Sequence, residues 1–336
     1  MNFDVTKSGG PTLKEIADVC GVAISTVSRA LTDPDRVRSA TGERIRATAR
    51  EMGYIGVSAL GRNTTKGSIA LIVPGLLNPV VLGLIRGAQS QIRAAGYQHV
   101  IVNTEESLQA ESEQLAQLAQ RSAGIIALAP RSSDDVLLQT ASRVPLVVIN
   151  RAVPQVSSVI IDTPHAMPQA IDHLLHGGHT TIAYVRGPLR AWNDRERFRA
   201  LSAAATARGV TLQPIGNYYP SLESGAAAAD VLQTSGVTAA IFFNDVLAIG
   251  ALMRFKSLGV RVPEDISIIG CDDVFGASFC EPALTTFTSP TDRAGAEAAD
   301  LIVSGAVQRG VPATQVVIPA HLTVRRSTAV SPANTA

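Results

Sequence analysis

Hydrophobic positions along the chain follow two rhythms. Up to about residue 52 they recur at helical spacing in short runs. Leu13, Ile16, Ala17 and Cys20 share one face of a first helix, Leu13 to Cys20, which Gly21 breaks. A second helix, about Ile24 to Leu31, turns Val27, Ala30 and Leu31 inward. The stretch "TDPDRV" is a loop of turn-forming residues. A third helix, about Ser39 to Met52, aligns Ile45, Ala49 and Met52, and Gly53 closes it as a C-cap would. The segment "YIGVSALGRNTTKG", Tyr54 to Gly67, is small, polar and glycine-containing, and reads as a linker.

From Ser68 the rhythm changes. Aliphatic runs expected to be strands, "SIALIV", "HVIVN", "GIIAL", "PLVVI", "TIAYV", "TAAIFF" and "ISIIG", alternate with helical segments such as "VVLGLIRGAQSQIRAAG". Such βαβ alternation predicts doubly wound parallel sheets with right-handed crossovers. The length suits two stacked α/β lobes better than one sheet, with ligands held beyond the carboxyl ends of the strands. The tail "STAVSPANTA" is small and polar and is expected to fray.

Composition supports this class. Of the 336 residues 46% are hydrophobic but only 4% aromatic, so the apolar mass is aliphatic, as buried parallel strands require. The net charge is +1, yet residues 1–66 hold ten Lys/Arg against seven Asp/Glu while the remainder is slightly acidic. That modest basic surplus is compatible with nucleic acid at the N-terminal end and with an ordinary solvated surface. Three cysteines, Cys20, Cys271 and Cys280, form no CxxC and suggest neither a disulfide framework nor a zinc site. The start "MNFDVTKSGG" has no apolar h-region, and "IALIVPGLLNPVVLGLI" is interrupted by Pro74, Asn78 and Pro79. A cytoplasmic protein without membrane attachment is the expectation.

The first two helices can make a helix-turn-helix, in which one helix braces and the second enters a major groove. Ile24, Ser25, Thr26, Ser28 and Arg29 point away from the Val27/Ala30/Leu31 face. An arginine there can contact guanine through two hydrogen bonds, and the hydroxyls suit phosphates or base edges. Thr12 with Glu15 three residues on is a capping box. On pattern alone, a plain helical hairpin in a small bundle is the alternative.

The run "TLKEIADVCGVAISTVSRAL" resembles the head of the lactose-repressor (LacI-type/GalR) family of bacterial transcription regulators. So do "TGERIRATAREMGY", "HLLHGGHTTIAYVRGP", "RVPEDISIIGCDD" and "EPALTTF", in order along nearly the whole chain. The resemblance implies an α/β protein: a two-lobe, periplasmic-binding-protein-like body of parallel sheets behind an N-terminal all-α helix-turn-helix headpiece. It implies a headpiece at 11–54, a hinge at 55–67 and an effector-binding and dimerisation body at 68–328. The N-lobe would take about 68–162 and 289–318, the C-lobe about 163–288 and 319–328. The implied function is a dimeric repressor on a pseudo-palindromic DNA operator, controlled by a small polyhydroxy effector, a sugar or nucleoside, with no cofactor and no metal. By the same resemblance Ile24, Ser25 and Arg29 fall at base-reading positions, and Thr26, Ser28 and Thr41 at phosphate-contacting ones.

Two departures stand out. Ala23 occupies a position that is usually a serine cap, a loss of typically about 1 kcal/mol. The hinge is short, and Leu60, its one leucine, is the candidate minor-groove wedge; the alternative is a flexible linker whose Leu60 packs on its dimer mate. For the effector, the resemblance points to Val80 and Val81, where many members carry aromatics, and to Arg197, Asn244 and Asp272, with Arg131, Trp192, Asn193 and Tyr219 as further candidates. Arg197 and Asp272 could instead form a structural ion pair across the cleft.

Two other classes are disfavoured. His173, His176 and His179 have spacings reminiscent of a metal site, but they straddle a helix end at Gly177–Gly178 and nothing orients all three inward. No nucleophile elbow, P-loop or dinucleotide-binding glycine motif is present, and the adjacent Asp272 and Asp273 should point oppositely, so an enzyme is not expected. The remaining rival is a solute-binding or sensor module without a DNA-binding role.

Overall fold

In the computed structural model, which describes residues 11–32, 39–52, 54, 66–308 and 310–332, Thr12 opens the first helix. Its hydroxyl accepts the Glu15 N–H at 3.3 Å, and the Glu15 carboxylate accepts the Thr12 N–H at 2.7 Å, so the capping box is complete. Helix α1 (Leu13–Cys20) ends at Gly21, whose φ of 62° is the left-handed conformation a side chain would strain. Helices α2 (Ile24–Thr32) and α3 (Ser39–Glu51) complete a three-helix unit. Ile16, Ala17, Cys20, Val27, Ala30, Ile45 and Ala49 bury together, with Leu31, Met52 and Tyr54 packed at the margin. Contacts divide the chain into Met1–Thr65 and Lys66–Ala336. Gly53, most of the expected linker, and with it Leu60, lie outside the described residues.

The second unit carries two six-stranded sheets. One contains β1 (Ser68–Val73), β2 (Gln98–Asn103), β3 (Gly124–Leu128), β4 (Leu146–Ile149), β5 (Ser157–Asp162) and β11 (Gln315–Pro319), in the order β11-β5-β4-β3-β1-β2. The other contains β6 (Thr181–Val185), β7 (Thr211–Ile215), β8 (Ala239–Phe242), β9 (Ser267–Asp272), β10 (Thr285–Thr288) and β12 (His321–Thr323), in the order β12-β10-β9-β8-β6-β7. All pairings are parallel except β12 against β10. The chain passes between sheets three times: from β5 into α7 (Thr163–His176), from β10 into α11 (Thr291–Val303), and from β11 to β12 through Ala320. Ala320 packs against the cores of both lobes.

The seven expected strands are all present, and five more were not foreseen: β5, β7, β10, β11 and β12. β10 reads "TTFT", too polar for a core strand, yet Thr285 and Thr286 are fully buried. Tertiary partners satisfy them: the Thr286 hydroxyl donates to the Asp245 carboxylate at 2.5 Å, and the Thr285 hydroxyl accepts the Arg325 N–H at 2.9 Å. β7 carries Pro214, which a sheet edge tolerates. The tail does not fray over its described part. The Ser327 hydroxyl donates to the Ile268 carbonyl at 2.6 Å, the Ala329 N–H donates to Ser267 Oγ at 3.0 Å, and the Ser331 N–H donates to the Gly177 carbonyl at 2.7 Å. Its polar atoms find partners on β9, α7 and β10.

Each lobe is braced by a helix pair in backbone contact. In the first, α4 (Val80–Ala94) meets α11, and a Cβ on Gly87 would lie 1.8 Å from the Asp292 carbonyl oxygen. In the second, α9 (Leu222–Gln233) meets α10 (Asp245–Leu258), and a Cβ on Gly250 would lie 2.2 Å from the Leu222 carbonyl oxygen. Gly87→Ala and Gly250→Ala are therefore expected to cost about 1–3 kcal/mol each, the usual range for overpacking, as a lowered urea midpoint. Gly75→Ala, which meets open space, should stay within about 0.5 kcal/mol of the parent.

Candidate functional site

The carboxyl ends of both sheets open on a shared cavity of about 550 Å³. The first sheet contributes the residues that follow or end its strands: Pro74 and Gly75 after β1, Asn103 on β2, Ala129 after β3, Asn150 after β4. The second contributes Phe243 after β8 and Asp272 at the end of β9. Parallel strands place ligand groups at such exits, where the chain turns out of the sheet. Those turns are tight: Glu105, Glu106, Ala129, Asn150, Asp272 and Asp273 all hold positive φ without being glycine. A conformation of this kind persists only where its surroundings enforce it.

Of the nine cleft residues expected from the sequence, Val80, Val81, Arg131, Asn193, Tyr219 and Asp272 line the cavity. Val80 and Val81 open α4, where the Asn78 side chain accepts the Val80 N–H at 3.2 Å. Asn193 sits in the first turn of α8 (Trp192–Ala207), placed by its neighbour Asp194. The buried Asp194 carboxylate accepts the Tyr184 hydroxyl at 3.0 Å, the Gly187 N–H at 2.8 Å and the Arg186 guanidinium at 2.6 Å. Arg131 Nε and Nη2 donate to the two Glu106 oxygens at 3.1 and 3.3 Å, and Nη1 donates to the Ala129 carbonyl at 2.7 Å. The buried Glu111 carboxylate accepts the backbone N–H of Arg131 at 2.9 Å and of Ser132 at 2.7 Å, which holds this exit loop in place.

Trp192, Arg197 and Asn244 do not line it. Trp192 is half-buried one residue before the wall. Arg197 is 3% exposed and lies behind the wall, where Nε donates to Thr163 Oγ1 at 2.9 Å, Nη1 to the Phe243 carbonyl at 2.7 Å and Nη2 to Asp272 Oδ1 at 3.4 Å. Its ion pair with Asp272 joins α8 to β9 on one side of the cleft and does not cross it. Asn244 caps α10 by accepting the Leu247 N–H at 3.1 Å, and its buried Nδ2 has no hydrogen-bond partner among the described residues. Sequence reasoning missed Asn103, Asn150, Glu105, Glu106 and Phe243. The signal was present, since each ends or closely follows a strand that was foreseen.

Asp273 diverges from Asp272 and receives Arg325 Nη2 at 2.6 Å and the Thr288 hydroxyl at 2.8 Å. The three histidines turn to separate partners. His173 Nε2 pairs with the Thr328 hydroxyl at 2.9 Å, His176 Nδ1 with the Asp172 carbonyl at 2.6 Å, and His179 Nδ1 with the Thr238 hydroxyl at 2.8 Å.

On the three-helix unit, Ile24, Ser25 and Arg29 are exposed along α2, and Thr26, Ser28 and Thr41 are half-buried beside them. Arg29 folds back on its own helix, with Nε donating to the Ser25 carbonyl at 3.0 Å. The Ala23 carbonyl accepts the Thr26 and Val27 N–H groups at 2.8 and 3.2 Å, so backbone alone starts the helix. Arg44 donates to the Cys20 carbonyl at 3.0 Å and Arg46 to the Ala30 carbonyl at 3.4 Å, closing the ends of α1 and α2 from α3. The result is a three-helix unit whose second helix exposes Ile24, Ser25 and Arg29 on one face, the arrangement of a helix that enters a major groove.

Residues 12–56 match the family described as "Bacterial regulatory proteins, lacI family", and residues 171–328 match "Periplasmic binding protein-like domain". The HTH-type transcriptional regulator DegA of Bacillus subtilis (strain 168) is 32% identical over 96% of this chain and 99% of its own length. The HTH-type transcriptional repressor CytR of Escherichia coli (strain K12) is 30% identical over 96% of this chain and 97% of its own. Among solved structures, the transcriptional regulator CelR–cellobiose complex is similar with a TM-score of 0.69 and 29% identity, over 94% of this chain and 99% of that one.

Two acids, Asp272 on the cleft wall and the buried Asp245, make a pH dependence measurable. Burial, reinforced by the Asp272 charge and only partly offset by hydrogen bonds from Thr286 and Val274, raises the Asp245 carboxyl from an ordinary 3.8 to about 7. Burial also raises Asp272 to about 6, against the pull of Arg197. These two carboxyls bind more protons in the folded than in the unfolded state between about pH 4 and 7, so the stability they contribute is full below about pH 4, declines across that window and is lost once pH has risen through about 6 to 7. Asp245→Asn can donate to Thr286 Oγ1 and accept from Val274, and is expected to flatten this decline in a melting-temperature series from pH 4 to 8. An unchanged slope would exclude Asp245 as its source.

Proposed function

The chain belongs to the lacI family of bacterial regulatory proteins, and from that premise we propose that it is a sequence-specific DNA-binding transcription regulator, a dimeric repressor whose operator affinity is set by a small sugar or nucleoside. One observation carries the reading: a single chain joins a capped helix-turn-helix with an exposed polar second helix to a two-sheet body whose strand exits enclose a cavity. Residues 11–54 serve as headpiece, 55–67 as hinge and 68–328 as effector and dimerisation body. Ile24, Ser25 and Arg29 read bases, Thr26, Ser28 and Thr41 contact phosphates, and Leu60 is the wedge at the minor groove. Two identical headpieces favour a pseudo-palindromic site. A DNA-bound role places the protein in the cytoplasm; no helix among the described residues is long and apolar enough to cross a membrane.

CelR is similar over nearly the whole chain and holds cellobiose, which supports a sugar in the cleft here. The three chain crossings between the sheets let the two halves of the cavity change their angle together. A ligand acts on the operator to the extent that it prefers one of those angles.

Selection of random duplex DNA with the purified protein should enrich a two-fold symmetric site. Arg29→Ala is expected to weaken that site by about 1–3 kcal/mol, roughly ten- to a hundredfold, in a fluorescence-anisotropy titration, because one bidentate base contact is lost. Its thermal shift with an effector should stay unchanged. No enriched site, together with tight sugar binding, would favour a solute-binding module instead.

A further inference from the structure

The way the cleft's charges are already engaged identifies which chemical class of effector fits, given the effector reading above. We infer that the cleft admits uncharged or amine-bearing polyhydroxy compounds and turns away their phosphorylated and carboxylated forms. A buried anion needs donors that are free to meet it: an arginine fork, a lysine, or the open N-terminus of a helix. Around this cleft the arginines Arg131 and Arg197 are already charge-paired and the α4 N-terminus is already capped.

Among the described residues Arg131 is the one cation on the wall. All three guanidinium nitrogens are engaged, two by Glu106 and one by the Ala129 carbonyl, and its side chain is only 7% exposed. Arg197 stands behind the wall with its nitrogens divided among Thr163, Phe243 and Asp272. The helix N-termini are closed as well. At α4 the Val80 N–H goes to Asn78 Oδ1, the Val81 N–H to the Asn78 carbonyl and the Leu82 N–H to the Pro79 carbonyl. Helices α8, α10 and α11 each carry an aspartate in the first turn, Asp194, Asp245 and Asp292. The Asp194 and Asp292 carboxylates already hold the positive ends of α8 and α11, and the buried Asp245 fills the first turn of α10.

What the wall offers instead suits hydroxyls and amines. Asn103, Asn150 and Asn193 line the cavity, and each side-chain oxygen accepts a backbone N–H, from Glu105, Ile161 and Asp194 at 3.3, 3.0 and 3.2 Å. Each of these amides keeps its NH₂ group as a neutral donor that a ligand's oxygens can use. Glu105 lines the same wall, exposed, and its carboxylate pairs with no cation among the described residues. A phosphate brought here meets an unbalanced carboxylate and no free counter-ion, so desolvating it goes uncompensated. A protonated amine meets Glu105.

Two measurements on the full-length protein test this. The first reads the sign of the cleft without any effector. Leu77 lines the cavity and is 93% exposed, so Leu77→Cys leaves the core untouched. A trimethylammonium-bearing methanethiosulfonate is expected to label it several-fold faster than the sulfonate-bearing reagent, after normalisation to a small neutral thiol and subtraction of the parent's own cysteines. Adding Glu105→Gln should reduce that preference. A normalised ratio at or below one would overturn the proposal.

The second measurement titrates glucose against glucose 6-phosphate, ribose against ribose 5-phosphate, and adenosine against its monophosphate, with glucosamine included, by thermal shift and calorimetry. Each phosphorylated form should bind at least about tenfold weaker than its parent. A phosphorylated member that binds tighter than its parent would also overturn it. Silence across the whole panel would count against a sugar or nucleoside effector, while the labelling ratio would still return the sign of the cleft.

Discussion

The cleft depends on one buried cation. Arg197 donates to the crossing at Thr163, to the carbonyl of Phe243 where β8 ends, and to Asp272 where β9 ends, and its guanidinium lies 5.2 Å from the Phe243 ring centroid. Three segments remote in sequence are thereby held at one point, and two of them form part of the cavity wall. A buried charge is costly unless its hydrogen bonds are satisfied, and here each nitrogen has an acceptor. The environment answers in kind: Asp272 and Asp245 are both raised by burial, and the neighbouring Cys271 thiol is pushed well above its ordinary range by the same desolvation. The arginine's role is to build the wall from behind.

That principle recurs through the body. Asp194 gathers Tyr184, Arg186 and Gly187 so that α8 starts where Asn193 can face the cavity. Glu111 holds the exit after β3 through two backbone N–H groups, and Glu106 then holds Arg131. Polar side chains inside a domain are tolerated only when paired, and here the pairs fall at strand exits, where the backbone has left the sheet ladder. The glycine contacts of α4 with α11 and of α9 with α10 give each lobe a flank of helices in close backbone contact.

The two parts of the chain divide the work of a regulator in a physically sensible way. The three-helix unit has a small core and engages polar groups at its helix ends, while Ile24, Ser25 and Arg29 stay exposed along α2. The α/β unit has large cores on both sides of its sheets and concentrates strain and charge at one edge. Under the proposed function, affinity for DNA and affinity for an effector rest on separate sets of residues, a condition for one to be changed through the other without being destroyed by it.

Local pattern was enough for what depends on local pattern. The helix spans of the N-terminal unit, the capping box at Thr12 and Glu15, the seven aliphatic strands and their alternation with helices were all legible, because periodicity and capping are set by residues a few positions apart. The polar face of α2 was legible for the same reason. Tertiary structure alone decided the rest. β10 became a core strand because Asp245 and Arg325, forty residues away in each direction, receive and supply its hydrogen bonds. The tail docked because β9 offered partners to its serines. Arg197 went behind the wall and Arg131 was neutralised by Glu106 because a side chain's free donors depend on what the fold packs beside it, 75 and 25 residues away along the chain. Sequence could nominate the charged groups near the cleft; only packing determined which of them a ligand can still meet.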